Sequence, residues 1–163
     1  LQALWVTINA SAAIAVFSAG TQLPLEVWAI VGGVMWVTGF AIEVTSDNQK
    51  TRFREDPQNR NRFITTGLWA WSRHPNYFGE ILLWAGVAFV AVPVLSGWQH
   101  LFLGAPLFTL YLMTKVSGVD MLERRADERW GNNPDYQDYK AATPSLLLRP
   151  PRSRRDHTGA TAS

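Results

Sequence analysis

Residues 63–95 read FITTGLWAWSRHPNYFGEILLWAGVAFVAVPVL and pass from a polar loop into an apolar run. Pro75 suits the first position of a helix, because proline fixes its own φ and has no N–H to leave unpaired there. Residues 81–95 are apolar, and the run reaches membrane-spanning length when the polar turn from Pro75 is included. The pattern therefore predicts a transmembrane helix that begins at Pro75 in polar surroundings.

Three further apolar segments flank this helix. They cover residues 1–19, residues 25–44 and about residues 98–116, and each is long enough to cross a hydrocarbon core of roughly 30 Å. The turn-forming residues between them, at 20–24 and 96–97, stand where helices should end. The predicted fold is an all-α polytopic membrane helical bundle with about four spans. The second span also carries a stripe of small residues for close helix packing, formed by Gly32 with Gly39 and by Ala29 with Gly33.

Charge is segregated along the chain. All 15 Lys and Arg residues lie from Lys50 onward, with six in residues 45–74, eight after Val116, and none in the turns at 20–24 and 96–97. Four spans put the two basic segments on one side of the membrane, and the positive-inside rule predicts that this side is cytoplasmic. Residues 149–163 have little to bury, so we expect a membrane domain over residues 1–148 followed by a disordered basic tail.

Several functional classes are excluded. The chain has no cysteine, which rules out disulfides, thiolate zinc sites and cysteine nucleophiles, and without paired histidines no metal site is predicted. Neither G-x-G-x-x-G nor G-x-x-x-x-G-K-[ST] occurs in the sequence. Any nucleotide must therefore be held by membrane helices and their cytoplasmic ends.

A first polar group continues the second span. Glu43, Asp47, Lys50 and Arg54 are spaced by four, three and four residues, so they share one face if the helix continues past the membrane. No glycine or proline interrupts this segment before Pro57. One interpretation is a solvated helix end with ion pairs. The other is that Lys50 and Arg54 present cations to an anionic group such as a phosphate.

A second polar group surrounds the start of the helix at Pro75. Arg73 and His74 precede it, next to backbone N–H groups that have no partner within the helix and can bind an anion. Asn76, Tyr77 and Glu80 lie in its first turns and could hydrogen-bond amide, ribose or hydroxyl groups. An ordinary capping or interfacial role remains an alternative for His74.

A third group covers residues 120–139, DMLERRADERWGNNPDYQDY. The pattern predicts an amphipathic helix that ends at Gly131, followed by a compact aromatic turn with Pro134, Tyr136 and Tyr139. Such a turn could cover a flat cofactor or pack on the membrane surface, and the residues do not decide between these two roles.

Four stretches together resemble a bacterial membrane family of unknown function whose C-terminal half is similar to steroid 5-alpha-reductase. They are SDNQKTRFR at 46–54, FITTGLWAWSRHPNYFGEILLW at 63–84, TKVSGVDMLERRADERWG at 114–131 and YQDYKAATP at 136–144. RHPNYFGE within the second also resembles the signature of sterol C14 and C7 reductases. The resemblance implies NADPH-dependent reduction of an activated C=C bond in a steroid- or lipid-like substrate, by an integral protein of the bacterial inner membrane.

The same resemblance implies roles for individual residues. Lys50 and Arg54 match the basic pair that grips the cofactor phosphates, and Tyr136 and Tyr139 match aromatic positions of the cofactor wall. The RHPNY cofactor segment is matched by Arg73, His74, Asn76 and Tyr77.

Further expectations concern catalysis and partners. The candidates for supplying or orienting the proton are Tyr77, Glu80 and Glu43. The expected partners are a hydrophobic small molecule and membrane lipid, with no nucleic acid and no obligate protein partner. Members of these families carry additional N-terminal helices, so we expect this chain to be the C-terminal part of a larger membrane enzyme.

Two alternatives remain open from the residues. Isoprenylcysteine and phospholipid methyltransferases also carry Arg-His-Pro-x-Tyr at the start of a membrane helix and a late Tyr-x-x-Tyr segment, and they use S-adenosylmethionine. The basic residues Lys50, Arg52 and Arg54 favour a reductase, because S-adenosylmethionine has no phosphate to bind. The second alternative is a non-catalytic membrane lipid-binding module.

Overall fold

The computed structural model describes residues 27–116 and 118–151, together with positions 7, 10, 13 and 14. Within residues 27–151, the described part of the chain has five α-helices: α1 Val27–Glu55, α2 Pro75–Ala91, α3 Ala105–Tyr111, α4 Val119–Trp130 and α5 Pro134–Ala142. Short 3₁₀ segments lie at Pro57–Asn59, Gly67–Ala70, Val92–Val94 and Gly97–Gly104, and a π-helical turn at Leu112–Val116. The described residues contain no strand, which confirms the all-α prediction.

Three helical stretches are long and apolar enough to cross a membrane, namely Val27–Glu55, Pro75–Val94 and Gly97–Trp130. They correspond to the second, third and fourth predicted spans, and they make the chain an integral membrane protein with a helical bundle. Most of the predicted first span, residues 1–19, and most of the predicted tail, residues 149–163, lie outside the described residues.

The predicted continuation of the second span as a single helix to Glu55 is confirmed. The helix has 29 residues, which at 1.5 Å per residue is roughly 43 Å and exceeds the thickness of the hydrocarbon core. It ends at Glu55, just before Pro57. Its last turns therefore carry Asp47, Lys50 and Arg54 beyond the apolar layer.

Glycines bring α1 and α2 into backbone contact. A Cβ on Gly32 would lie 2.6 Å from the carbonyl oxygen of Gly86, and a Cβ on Gly39 would lie 2.6 Å from that of Gly79. The two pairs are matched in opposite chain order, so the helices are antiparallel. The packing predicted for Gly32 and Gly39 is confirmed, whereas Gly33 faces open space and takes no part in it.

Prolines mark the positions at which the apolar segments change between 3₁₀ and α-helical conformation. α2 begins at Pro75 as predicted and gives way to a 3₁₀ turn at Pro93. The fourth span is irregular, because Gly97–Gly104 is 3₁₀ and the α-helix starts only at Ala105. Pro106 cannot donate to the preceding turn and its ring crowds the carbonyl four residues earlier, so an α-helix cannot pass through it unchanged.

The predicted aromatic turn at residues 134–139 is wrong, since this segment is the helix α5. The side chain of Asn133 accepts a hydrogen bond from the Asp135 N–H and caps the helix, and Pro134 occupies its first turn. Tyr136 and Tyr139 are three residues apart and therefore lie on one helical face.

The segment after α5 lies against the residues that precede α2. The N–H of Arg73 donates to the Pro144 carbonyl at 2.9 Å, and the N–H of Arg149 donates to the Trp71 carbonyl at 3.0 Å. The fully buried Ser72 hydroxyl donates to the Leu146 carbonyl at 2.9 Å. These bonds attach the C-terminal segment, including Arg149 of the predicted tail, to the residues that precede α2.

Candidate functional site

A cavity of about 300 Å³ lies where the end of α1, the loop before α2, α4 and α5 meet. Six of the eight predicted cofactor-binding residues line it: Lys50, Arg54, Arg73, His74, Tyr136 and Tyr139. Asn76 and Tyr77 are not among its lining residues. Tertiary folding thus brings together residues from three separate motifs of the sequence.

The cavity is strongly cationic. Six basic residues line it, namely Lys50, Arg54, Arg60, Arg62, Arg73 and Arg129, and Glu123 is the one acid among its described lining residues. Arg73 forms an ion pair with Glu123 at 2.9 Å, whereas the other five form none with any described residue. An excess of positive charge in a concave site attracts anionic ligands.

Trp69 organises one wall of the cavity. Its indole N–H donates to the Ser46 carbonyl of α1 at 3.0 Å, and the Lys50 ammonium lies 4.8 Å from its ring centroid. On the opposite side, the Tyr139 hydroxyl donates to the Trp69 carbonyl at 2.7 Å. Trp69 is only 5% exposed, so it holds Lys50 and Tyr139 at fixed positions around the cavity.

The loop that carries Trp69 is attached to α1 by Gln49. The Leu68 N–H donates to the Gln49 side-chain oxygen at 2.9 Å. Gly67 has φ +62°, and a Cβ there would come within 2.6 Å of Gln49 side-chain atoms. Glycine is required at this position both for its backbone conformation and for this close approach.

Arg73 is a connecting residue as well as a cavity residue. Its Nε donates to Glu123 at 2.9 Å, and its Nη1 donates to the carbonyls of Lys140 at 2.6 Å and Thr143 at 3.0 Å. Those carbonyls lie at the C-terminus of α5, where helix carbonyls lack partners and the dipole favours a cation. Arg73 therefore stabilises the contact of α5 with α2, and much of its donor capacity is used within the protein.

His74 is buried at the first turn of α2. It is 7% exposed, and its Nε2 lies 2.8 Å from Oε1 of Glu123. Its ring stacks on Tyr77 with a centroid distance of 5.7 Å and an interplanar angle of 16°. Tyr77 thus contacts the cavity through His74.

The three predicted proton-donating or orienting residues lie outside the cavity lining, with Tyr77 and Glu80 on α2 and Glu43 on α1. The Glu80 carboxylate interacts electrostatically with Glu43 across the helix contact and also with Tyr77. The backbone of Gly79 packs against that of Glu43, because a Cβ on Gly79 would lie 2.7 Å from the Glu43 nitrogen. The structure therefore brings Tyr77, Glu80 and Glu43 together.

An aromatic cluster closes the opposite wall. Phe63 lies at its centre, with ring centroids 5.8 Å from Trp130, 5.2 Å from Tyr136 and 5.7 Å from Tyr139. Burial raises the pKa of Tyr136 to about 12, with a further contribution from the adjacent Asp127 carboxylate. Burial likewise raises the pKa of Tyr139. Both phenols therefore stay neutral near pH 7.

The C-terminal end of α4 is tied to the basic loop. Nη2 of Arg129 donates to the Arg60 carbonyl at 3.0 Å and to Oδ1 of Asn61 at 3.2 Å, and the Trp130 indole donates to the Asn61 carbonyl at 3.3 Å. These bonds hold the loop over the cavity. A wider groove of about 980 Å³ adjoins the cavity and shares Arg62, Phe63 and Tyr139 with it.

Comparison with known proteins identifies the family of this chain. Residues 1–143 match a family described as "Protein of unknown function (DUF1295)". The chain belongs to this family. It is also similar to 3-oxo-5-alpha-steroid 4-dehydrogenase 1 of Bos taurus, with 28% identity over 81 residues, which are 49% of this chain and 31% of the bovine protein. The similarity confirms a 5-alpha-reductase-like relationship over less than a third of the relative's length, and no solved structure matches the chain.

Sequence reasoning missed several cavity residues of this DUF1295 protein. Glu123 is one of them, and it lies four residues before Asp127, which is outside the cavity lining; this spacing places both on one face of α4 and was the available signal. Their partners, Arg73 and Lys140, lie on other elements. Phe63 and Trp69 gave no distinguishing signal, because single aromatic residues in a loop have no periodicity.

Proposed function

We propose that this chain is the NADPH-binding part of a membrane oxidoreductase that reduces an activated C=C bond in a steroid- or lipid-like substrate. The observation that carries the proposal is the cavity, in which five cations lack an ion-pair partner among the described residues. NADPH carries a pyrophosphate and a 2′-phosphate, and multiple Lys and Arg donors recognise such groups. The similarity to 3-oxo-5-alpha-steroid 4-dehydrogenase 1 supports the same reaction class.

The lining residues fit an extended dinucleotide. Lys50 and Arg54 on α1, with Arg62 and Arg129 opposite, suit the phosphates, and the cluster around Phe63 suits a flat base. The cavity of about 300 Å³ is small for the whole cofactor, but the adjoining groove of about 980 Å³ provides further space. A bound nicotinamide cofactor would supply hydride.

The residues of the chain supply orientation and a proton. Tyr77 is stacked on His74 and interacts electrostatically with Glu80, which in turn interacts with Glu43. In this proposal, these three side chains donate or orient the proton. The glycine contacts between α1 and α2 leave no room for water between the two backbones. A hydrophobic substrate would reach this point from the lipid, because the faces of α1 turned away from α2 are apolar and exposed.

The proposal extends to orientation and partners. We place residues 45–74 and the C-terminal segment on the cytoplasmic side of a bacterial inner membrane, by the positive-inside rule, and we extend the relationship to sterol C14 and C7 reductases. The proposed partners are a hydrophobic small molecule and membrane lipid, without nucleic acid or an obligate protein partner.

Cavity charge argues against the methyltransferase alternative. S-adenosylmethionine has no phosphate and carries a positive sulfonium, and its single carboxylate can pair with only one or two of the five cations. Each of these cations can strengthen NADPH binding through its phosphates. The affinity for NADPH should therefore fall as salt screens the charges.

The test is binding of NADPH and of S-adenosylmethionine to the detergent-solubilised full chain. We expect micromolar NADPH binding that weakens with salt, and much weaker binding of S-adenosylmethionine. Arg54→Ala should weaken NADPH, whereas Arg52→Ala, an exposed position on the same helix outside the cavity, should not. Preferential binding of S-adenosylmethionine would make the chain a methyltransferase, and binding of neither would favour the lipid-binding module.

A further inference from the structure

Cofactor binding alone does not explain why Glu123 lines the cavity. It is the one acid among the described lining residues, and its side chain is 17% exposed. A carboxylate in a cavity for a polyanion weakens binding of that polyanion through charge repulsion. Its presence therefore points to another role.

One oxygen of Glu123 holds two side chains. Oε1 accepts from Nε of Arg73 at 2.9 Å and lies 2.8 Å from Nε2 of His74, while Oε2 lies 3.8 Å from the Lys140 ammonium. Because the guanidinium is always protonated, the carboxylate beside it is ionised and acts as an acceptor. Nε2 of His74 is then the donor, and this bond sets both the tautomer and the ring orientation.

The orientation of His74 is transmitted to Tyr77. Their rings stack with an interplanar angle of 16°. Tyr77 also meets the backbone at Gly118, where a Cβ would lie 2.9 Å from Cε2 of Tyr77. The phenol ring therefore contacts both an imidazole, which Glu123 orients, and a glycine that leaves room for it.

We propose that Glu123 is a positioning residue for Tyr77, acting through the His74 ring. This inference deepens the proposed function and rests on it, because Tyr77 is there one of the groups that donate or orient the proton. Glu123 fixes the position of Tyr77 through His74, and its negative charge lowers the affinity for the anionic cofactor. It touches neither the cofactor nor the reacting atoms.

The test combines a spectroscopic measurement with a binding measurement on the full chain in detergent. The chain has three histidines and four tyrosines, so ¹⁵N-histidine and ¹⁹F-tyrosine NMR signals can be assigned with His74→Gln and Tyr77→Phe. In Glu123→Gln we expect the His74 signal to move toward a mixture of tautomers and the Tyr77 signal to shift or broaden. Asp127→Asn, which neutralises the other Lys140 partner four residues along α4, should leave both signals unchanged.

NADPH affinity supplies the second measurement. Glu123→Gln should bind NADPH as tightly as the wild type or about two- to fivefold more tightly, the effect expected from removing one partly screened charge. Glu123→Asp keeps the negative charge, but its shorter side chain moves the carboxylate away from His74. We therefore expect changed His74 and Tyr77 signals and an NADPH affinity equal to that of the wild type. It also serves as the second variant if Glu123→Gln does not fold.

Two outcomes would overturn the inference. An unchanged Tyr77 signal in both variants would show that Glu123 does not act on Tyr77. A tenfold or greater loss of NADPH affinity in Glu123→Gln would make Glu123 a cofactor ligand. If the wild type binds no NADPH, the proposed function fails, while the NMR comparison still decides whether Glu123 positions the ring.

Discussion

The ammonium group of Lys50 lies 4.8 Å from the centroid of the Trp69 ring, which is itself fixed to α1 by a hydrogen bond to Ser46. The contact places a cation at the cavity without pairing it to an acid. We expect Lys50→Met to weaken NADPH binding about tenfold, the effect of losing one charge-assisted interaction. Calorimetric titration measures it, and Lys115→Met, at an exposed Lys paired with Asp120, is the control. Equal losses in both variants would contradict a phosphate contact at Lys50.

Arg73 should matter more for stability than for binding. Arg73→Ala removes donors from two carbonyls at the end of α5 and leaves Glu123 without its close cation. Removal of one partner from a largely buried pair costs roughly 3–5 kcal/mol, so we expect a large fall in the thermal unfolding temperature. If the variant kept its unfolding temperature and lost only NADPH affinity, Arg73 would be a phosphate ligand and not a connecting residue.

The α1–α2 contact should tolerate no side chain at its glycines. Gly39→Leu must displace the α2 backbone, because even a Cβ would lie 2.6 Å from the Gly79 carbonyl oxygen, and overpacking of this kind costs about 1–3 kcal/mol or more. Gly33→Leu is the matched control, since nothing lies within 4 Å of a Cβ there. Thermal unfolding in detergent should be lowered only by Gly39→Leu. Similar behaviour of the two variants would argue against this packing.

Tyr136 should make the free energy of unfolding fall as the pH becomes alkaline. Its folded pKa is raised to about 12 from an ordinary value of 10, so the unfolded chain loses this proton more readily. The contribution to stability is complete below pH 10 and is lost as the pH rises through 12. Chemical denaturation between pH 9 and about 11 should show falling stability, with a shallower fall in Tyr136→Phe. The same slope in both proteins would contradict the raised pKa.

Tyr139→Phe should cost stability without altering the aromatic wall. The change deletes the 2.7 Å hydrogen bond to the Trp69 carbonyl and keeps the ring beside Phe63. Loss of one such bond costs about 1 kcal/mol, or more if the carbonyl stays buried and unpaired. Denaturant titration measures this cost, and NADPH affinity should change less than twofold. A large affinity loss without a stability loss would assign the hydroxyl to the cofactor.

Local sequence patterns were sufficient to predict much of the fold. Pro75 and Pro57 mark a helix start and a helix end through their missing N–H groups, and Gly32 with Gly39 indicated close packing. The proline and tyrosines of the segment from Pro134 to Tyr139 predict a turn, and this prediction is wrong. The Asn133 cap and the neighbouring α4 stabilise a helix there instead.

The sequence by itself determined where α1 ends and α2 begins, the segregation of charge along the chain and the motifs that supply the cavity. Hydropathy, backbone restriction and charge are properties of short segments, so they can be read without a fold. Only the tertiary structure decided that Arg73 is bound to Glu123 and α5 while Lys50 stays unpaired beside Trp69. Such pairings depend on distances between residues far apart in the chain, and the antiparallel packing of α1 and α2 with the attachment of α5 sets those distances.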